Sequence, residues 1–210
     1  LAGHYGLALA AAGHVEAGRQ RCAEAVRIMR ELGDAYMLSC MLNFKANILL
    51  REPGNQAAAA RAVQESLELS AGAGDWPTLI ETLLSAAEVA VAFDDALLAA
   101  RLASSALELC EIEDIPIHPR MGSAVDRLRE TIHPHQVSRE VSDHEATLDR
   151  IIAHTLDCLS QWVQDADGAG GSLSERDRGP SPSERFETGA VHHQGASHPD
   201  GDPRNRGSRT

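Results

Sequence analysis

The sequence predicts an all-α chain: an α-solenoid of about three stacked helical hairpins, then C-terminal capping helices and a disordered tail. Three observations predict it. First, "AVRIMRELGD" (25–34), "SLELSAGAGD" (66–75) and "ALELCEIED" (106–114) repeat one pattern, and matching Val26, Leu67 and Leu107 gives steps of 41 and 40 residues. A recurrence at that period marks stacked repeats rather than a single enzyme core. Second, Ala and Leu dominate the first 160 residues while β-branched runs are missing, which favours helix over strand. Third, the first two copies end in Gly-Asp. A left-handed position after a helix favours glycine, and an Asp side chain accepts the orphan N–H groups opening the next helix.

The first unit runs from Leu1 to Asp34, with an apolar helix, a turn at Gly13-His14, and a restart at Val15. Cys22, Ala25, Val26 and Met29 form an i, i+3, i+4, i+7 stripe on the second helix. Gly33 stops that helix and Asp34 caps the next. In the second unit, 35–51 is helical with Leu38, Met41, Leu42 and Leu49 toward a core; "EPGN" breaks it and 56–71 forms the partner helix. Asp75 is again the expected N-cap, with Pro77 tolerated in the first turn. The third unit runs 78–93, turns at Asp94-Asp95 and returns over 96–111, where the closing Gly-Asp has become Glu113-Asp114.

"IPIHPR" then ends the array, placing the repeats at 1–117. Helices over 121–132 and 143–163 flank the "HPH" break, and Leu148, Ile151, Ile152, Leu156, Leu159 and Trp162 line the second. Residues 118–164 are expected to cap the apolar face of the last hairpin. Residues 165–210, rich in Gly, Pro, Ser, Asp and Arg, lack the apolar surface to offset chain entropy and are expected to be disordered.

A formal charge of −12, a single lysine (Lys45) and no basic run argue against direct nucleic-acid binding. No apolar stretch reaches the roughly 18–20 residues that cross a bilayer; Glu81 and Glu88 interrupt the most apolar region. Cys22, Cys40, Cys110 and Cys158 are too scattered for a metal site or a disulfide framework and read as reduced core thiols, which suits a cytoplasmic protein. Opening on Leu1 within a helical pattern and without a signal peptide, the chain reads as a piece of something longer.

"GHVEAGRQRCAEAVRI" (13–28), "GNQAAAARAVQESLEL" (54–69) and "FDDALLAARLASSALEL" (93–109) resemble the second helix of tetratricopeptide repeats. The small residue of that helix falls on Gly18, Ala59 and Ala99, and its Ala-Leu signature on Ala25-Val26, Ser66-Leu67 and Ala106-Leu107. Gly6 and Ala87 match the small position of the first helix, and Asn47 departs from it. The period exceeds the usual repeat of about 34 residues. Long repeats closing in "LGD" or "AGD", with "AVDRLRETI…ATLDRIIAHTL" behind them, resemble the C-terminal arrays of large bacterial, especially actinobacterial, signalling proteins. There an ATPase module precedes the repeats, and a DNA-binding or cyclase domain lies elsewhere in the chain. The resemblance covers about residues 1–156 and implies a protein-interaction module of a signal-transduction or transcriptional regulator. A groove closing on a small-molecule inducer, coupled to such an ATPase or cyclase, is the alternative.

No catalytic constellation stands out: there is no P-loop, no HExxH and no CxxC. Cys158 and His154 are one-turn neighbours, and the histidines of "HPH", His144 and His154 lack metal-ligand spacing. No metal or cofactor is therefore expected, and any ATPase or cyclase activity would belong to another domain. The resemblance places the first helix of each hairpin on a concave face, where "NFKAN" offers Asn43, Lys45 and Asn47. Asn43 and Asn47 share a face, while Lys45 points about half a turn away. A ligand role competes with packing, because Asn47 occupies a small-residue position. Glu81, Ser85 and Glu88 would add negative charge to the same groove and favour a basic or amphipathic helical partner, from another protein or from the parent chain.

Overall fold

The computed structural model describes residues 2–117, 119–131 and 148–176. Among them every regular element is an α-helix: α1 (Ala2–Ala11), α2 (Val15–Leu32), α3 (Ala35–Leu49), α4 (Gln56–Ala71), α5 (Trp76–Ala92), α6 (Ala96–Ile112), α7 (Pro119–Thr131) and α8 (Leu148–Arg176). No helix among the described residues is long and apolar enough to cross a membrane. The described residues up to 171 form one compact unit; of the second unit the described part is the end of α8. "HPH" at 133–135 and the tail from 177 onward lie outside the described residues.

Short turns pair α1 with α2, α3 with α4 and α5 with α6, and the pairs then pack on one another. The turns after α1 to α6 each carry one residue with positive φ: Gly13, Gly33, Gly54, Gly74, Asp94 and Asp114, spaced 20 or 21 residues apart. The half-period is thus written in backbone conformation, although the sequence pattern shows only the full one. At Gly33 (φ 67°) the Asp34 N–H reaches back to the Met29 carbonyl at 3.2 Å; at Asp114 (φ 51°) the Ile115 N–H reaches Cys110 at 2.9 Å. The wording decays from Gly-Asp to Glu-Asp and the helix stop stays the same, since Asp tolerates the left-handed region.

The aspartates that precede α3, α6 and α5 divide. Asp34 Oδ1 accepts from the Met37 N–H, and Asp95 Oδ1 from the Leu98 N–H, both at 2.9 Å. Asp75 holds the same position before α5 but makes no cap bond, and its Oδ2 is buried without a partner.

The two helices of a pair differ in burial. α3 buries nine of its 15 residues and α5 eleven of 17, while α2 buries four of 18, so odd-numbered helices form an inner layer. α1 touches α3, α3 touches α5 and α5 touches α7 within that layer. Small residues set the spacing: a Cβ on Gly18 would stand 2.5 Å from the Gly6 carbonyl oxygen, and Ala59, Ala87 and Ala99 are fully buried. Leu67 is fully buried but Leu107 only partly, so the third copy of the repeat stripe packs less deeply.

The two C-terminal helices dock at different places. α7 packs on α5 and α6 and continues the odd-numbered layer. α8 docks elsewhere: the Trp162 and Phe93 rings stack with centroids 4.5 Å apart, Gln64 Nε2 donates to Ser160 Oγ at 3.1 Å, and Arg61 pairs with Asp167. Leu148, Ile151, Ile152 and Leu156 of its apolar stripe are partly buried against the core, and Leu159 is fully buried. The helix also runs past its expected end at Val163 to Arg176, so 165–176 is helical. Gln161 bonds Asp165 one turn on, and Arg61 holds Asp167, which ties down a stretch too polar to bury itself.

Candidate functional site

A groove runs along the odd-numbered layer. Part of it is a half-open pocket of about 310 Å³ lined by Leu7 and Ala11 of α1, Asn43, Phe44 and Asn47 of α3, Leu84 and Ser85 of α5, and Met121 and Ala124 of α7. A neighbouring cavity of about 370 Å³ shares Asn47, Glu88 and Arg127 with it, along with Arg51 beyond the end of α3, so the two are continuous. Each helix offers side chains spaced three or four residues apart, because only those share a helical face.

Five of the six side chains expected from the sequence are brought together here: Asn43, Asn47, Glu81, Ser85 and Glu88 all line the cavity. Lys45 does not. Its half-turn offset carries it away from the groove; it is partly buried and its charge acts on the Cys22 thiol of α2.

Asn43 is 2% exposed and belongs to a buried hydroxyl network joining α3, α4 and α5. Ser39 Oγ lies 2.7 Å from Ser66 Oγ, which lies 3.1 Å from Thr82 Oγ1, and Thr82 donates to the Thr78 carbonyl at 2.8 Å. Asn43 Nδ2 donates to Thr82 Oγ1 at 2.9 Å. Asn47 Nδ2 donates to the Asn43 carbonyl at 3.0 Å and, more weakly, to Ser85 Oγ at 3.4 Å. The network gives buried hydroxyls their partners, which they need in an apolar interior. Asn43 Oδ1 is left without one.

The charge of the groove differs from expectation. Glu81 and Glu88 are joined by Arg51 and Arg127, so the lining is mixed rather than acidic. Arg127 of α7 donates to Glu88 Oε1 through Nε at 2.8 Å and Nη2 at 2.5 Å. Burial raises the Glu88 carboxyl above its ordinary pKa, while Arg127 and then Arg51 pull it back. The two arginines were hidden in the sequence for different reasons. Arg51 continues the i, i+4 series of Asn43 and Asn47 and could have been found by extending it. Arg127 joins only because α7 packs beside α5.

Outside the groove, Cys158 Sγ does lie 3.4 Å from His154 Nδ1. Burial, then Asp95 and Asp157, raise the pKa of that thiol, the reverse of what activates a nucleophilic cysteine. Cys22 donates to the Met41 carbonyl and burial pushes its pKa up to about 12. Among the described residues no group of three His, Cys, Asp or Glu side chains could hold a metal ion. No protein-family model matches the chain, and neither the curated proteins nor the solved structures include a match.

Proposed function

We propose that the chain is a tetratricopeptide-like solenoid that acts by binding. In this reading the odd-numbered helices form the concave face, and a segment of a partner protein, or of another domain of a longer regulator, lies along their groove. One observation carries it: four helices that follow one another through the fold each present side chains to a single continuous groove, where buried asparagines and ion-paired side chains interrupt apolar walls. Concave, largely apolar surfaces with a few fixed polar groups are where binding sites form. The role is that of a protein-interaction module in a bacterial signalling or transcriptional regulator. It works in the cytoplasm, and any catalysis resides in another domain.

A displayed peptide library selected on the folded chain tests this. Ala11 and Ser123 line the groove with exposed side chains, so Ala11→Trp and Ser123→Trp fill it without entering the core. Selected peptides should bind the wild type and lose at least tenfold in affinity on both variants. Peptides that bind all three proteins equally would place the binding face elsewhere.

A further inference from the structure

Hydrogen bonds fix how the inner helices run. Asn43 meets Thr82 and Asn47 meets Ser85, so positions along α3 and α5 advance together and the two helices are parallel. Short turns reverse the chain after each of α1 to α6, which gives α1 and α7 the same direction. The turns between hairpins, α2–α3, α4–α5 and α6–α7, therefore stand along one edge of the array, and the turns within hairpins along the other.

The two edges differ. Five large apolar side chains are exposed among the described residues, and four of them, Leu32, Tyr36, Ile112 and Ile117, stand at the inter-hairpin edge, each more than half exposed. Trp76, partly buried, opens α5 between them. At the other edge Leu50 and Phe93 are partly buried, Phe93 against the Trp162 ring. Single exposed apolar residues are ordinary, whereas their gathering on one edge marks an interaction surface.

The same edge is acidic. Residues 30–36, 70–77 and 111–117 carry Glu31, Asp34, Asp75, Glu111, Glu113 and Asp114 against one basic residue, Arg30, which is paired with Glu65. Glu31 is held by Arg27, but Glu111, Glu113 and Asp114 surround Ile112 and are all exposed. Tyr36 reaches toward the next turn: the Cys40 thiol, then partial burial and the Asp75 carboxylate, raise its hydroxyl pKa. The groove is mixed in charge, and this edge is where unbalanced negative charge meets exposed apolar surface.

That combination selects the occupant. A second copy would bring two acidic edges together, and nucleic acid or an anionic membrane surface would be repelled in the same way. Ionic attraction alone would leave the four apolar side chains in water. We propose that this edge docks a segment of a partner protein in which Lys or Arg is interspersed with apolar side chains. The basic groups meet Glu111, Glu113 and Asp114 while the apolar ones cover Leu32, Tyr36, Ile112 and Ile117. The site lies apart from the groove and does not depend on it. With helices packed about 8–10 Å apart, the three turns span about 20 Å, the length of about 13 helical residues.

The probe is a peptide of about 14 residues with Leu and Lys at helical period, titrated against the full chain and followed by amide chemical shifts. Two companions carry Glu for every Lys, or Ser for every Leu. The Leu/Lys peptide should saturate one site and shift signals within 31–36, 72–77 and 111–117. Both companions should bind at least about tenfold more weakly, since each lacks one half of the match. Leu32→Ser with Ile112→Ser, and separately Glu111→Lys with Glu113→Lys, should each weaken the Leu/Lys peptide at least about tenfold for the same reason. All four positions are exposed, so both variants should keep the wild-type denaturation midpoint. Ala11→Trp, in the groove, should leave binding unchanged. No saturable binding, a companion that binds equally well, shifts confined to the groove, or indifference to either pair of substitutions would each overturn the proposal. So would a chain that dimerises in sedimentation, or that binds phosphatidylserine vesicles, and loses that association with Leu32→Ser and Ile112→Ser. The occupant would then be a second copy or a membrane.

Discussion

The odd- and even-numbered helices of the three hairpins do different work. α3 and α5 are buried over most of their circumference, α3 against α1, α2, α4 and α5, and α5 against α3, α4, α6 and α7. α4 packs on α3 and α5 along one face, and its other residues meet solvent or α8. A helix enclosed on nearly all sides reads as apolar all round, whereas a half-covered one shows a stripe. Polar residues on the enclosed layer must therefore find partners internally, as Ser39, Thr82 and the Asn43 Nδ2 group do through their shared network. The same layer forms the groove, so the candidate binding groups are those already committed to holding the core together. Polar residues on the even helices, such as Glu16 with Arg19, form exposed ion pairs worth little to stability.

That contrast can be broken by substitution. The largest effect is expected in the enclosed layer: Leu83→Ala should cost about 2–5 kcal/mol in chemical denaturation, because the side chain is fully buried and leaves a cavity. On the even helices Leu67→Ala should cost a comparable amount, and Leu107→Ala clearly less, since Leu107 is only partly buried. Equal losses at 67 and 107 would show that the third pair packs as tightly as the second.

Next comes α8, which docks on α4 and the α5–α6 turn. Trp162→Ala should remove the stacking with Phe93, worth about 0.5–1.5 kcal/mol beyond the area lost, and speed hydrogen exchange across α8 while α3 and α5 keep their protection. Loss of protection throughout would mean that α8 is integral to the core rather than laid upon it.

A smaller effect separates two residues the sequence treats alike. Asp34→Ala should cost about 0.5–2 kcal/mol through its lost cap bond, whereas Asp75→Ala should cost less or nothing, because Asp75 makes no such bond and leaves an oxygen buried without a partner. The midpoints of denaturation of the two variants decide this directly.

The smallest effect is a dependence on pH. The Glu88 carboxyl has a folded-state pKa above its ordinary value, so the native chain holds that proton more tightly than the unfolded one. Its contribution is then most favourable below the ordinary carboxyl pKa and is lost as pH rises through the raised one. Glu88→Gln removes this titration, so the stability of the variant relative to wild type should improve as pH rises across that window. A difference that stays flat would show that the arginines cancel the effect of burial, and one that runs the other way that they outweigh it.

Much of the fold was legible because it is local. Gly13-His14, Gly33-Asp34 and Asp94-Asp95 mark turns with bonds that reach only a few residues, so helix ends at those places follow from the wording. The small residues at 18, 59 and 99 are buried. The site was legible in part: Asn43, Asn47, Glu81, Ser85 and Glu88 line the groove because helical spacing puts each set on one face. Lys45 was grouped with them by adjacency in sequence, which on a helix means separation in space. The sign of the groove was misread because its compensating arginine, Arg127, lies 39 residues beyond Glu88.

By itself, then, the sequence determined the helical class, the 40–41-residue recurrence, most helix ends and the side chains that share a face. All of these depend on backbone geometry and on partners within about one helical turn. Tertiary structure alone decided which helices form the enclosed layer, that α8 turns back onto α4, that Asp75 is left uncapped, and that Asn43 meets Thr82. Those outcomes join residues far apart in the chain, 39 positions for Asn43 and Thr82 and 106 for Arg61 and Asp167. No local pattern encodes such pairings, because what selects them is the burial of whole helical faces against one another.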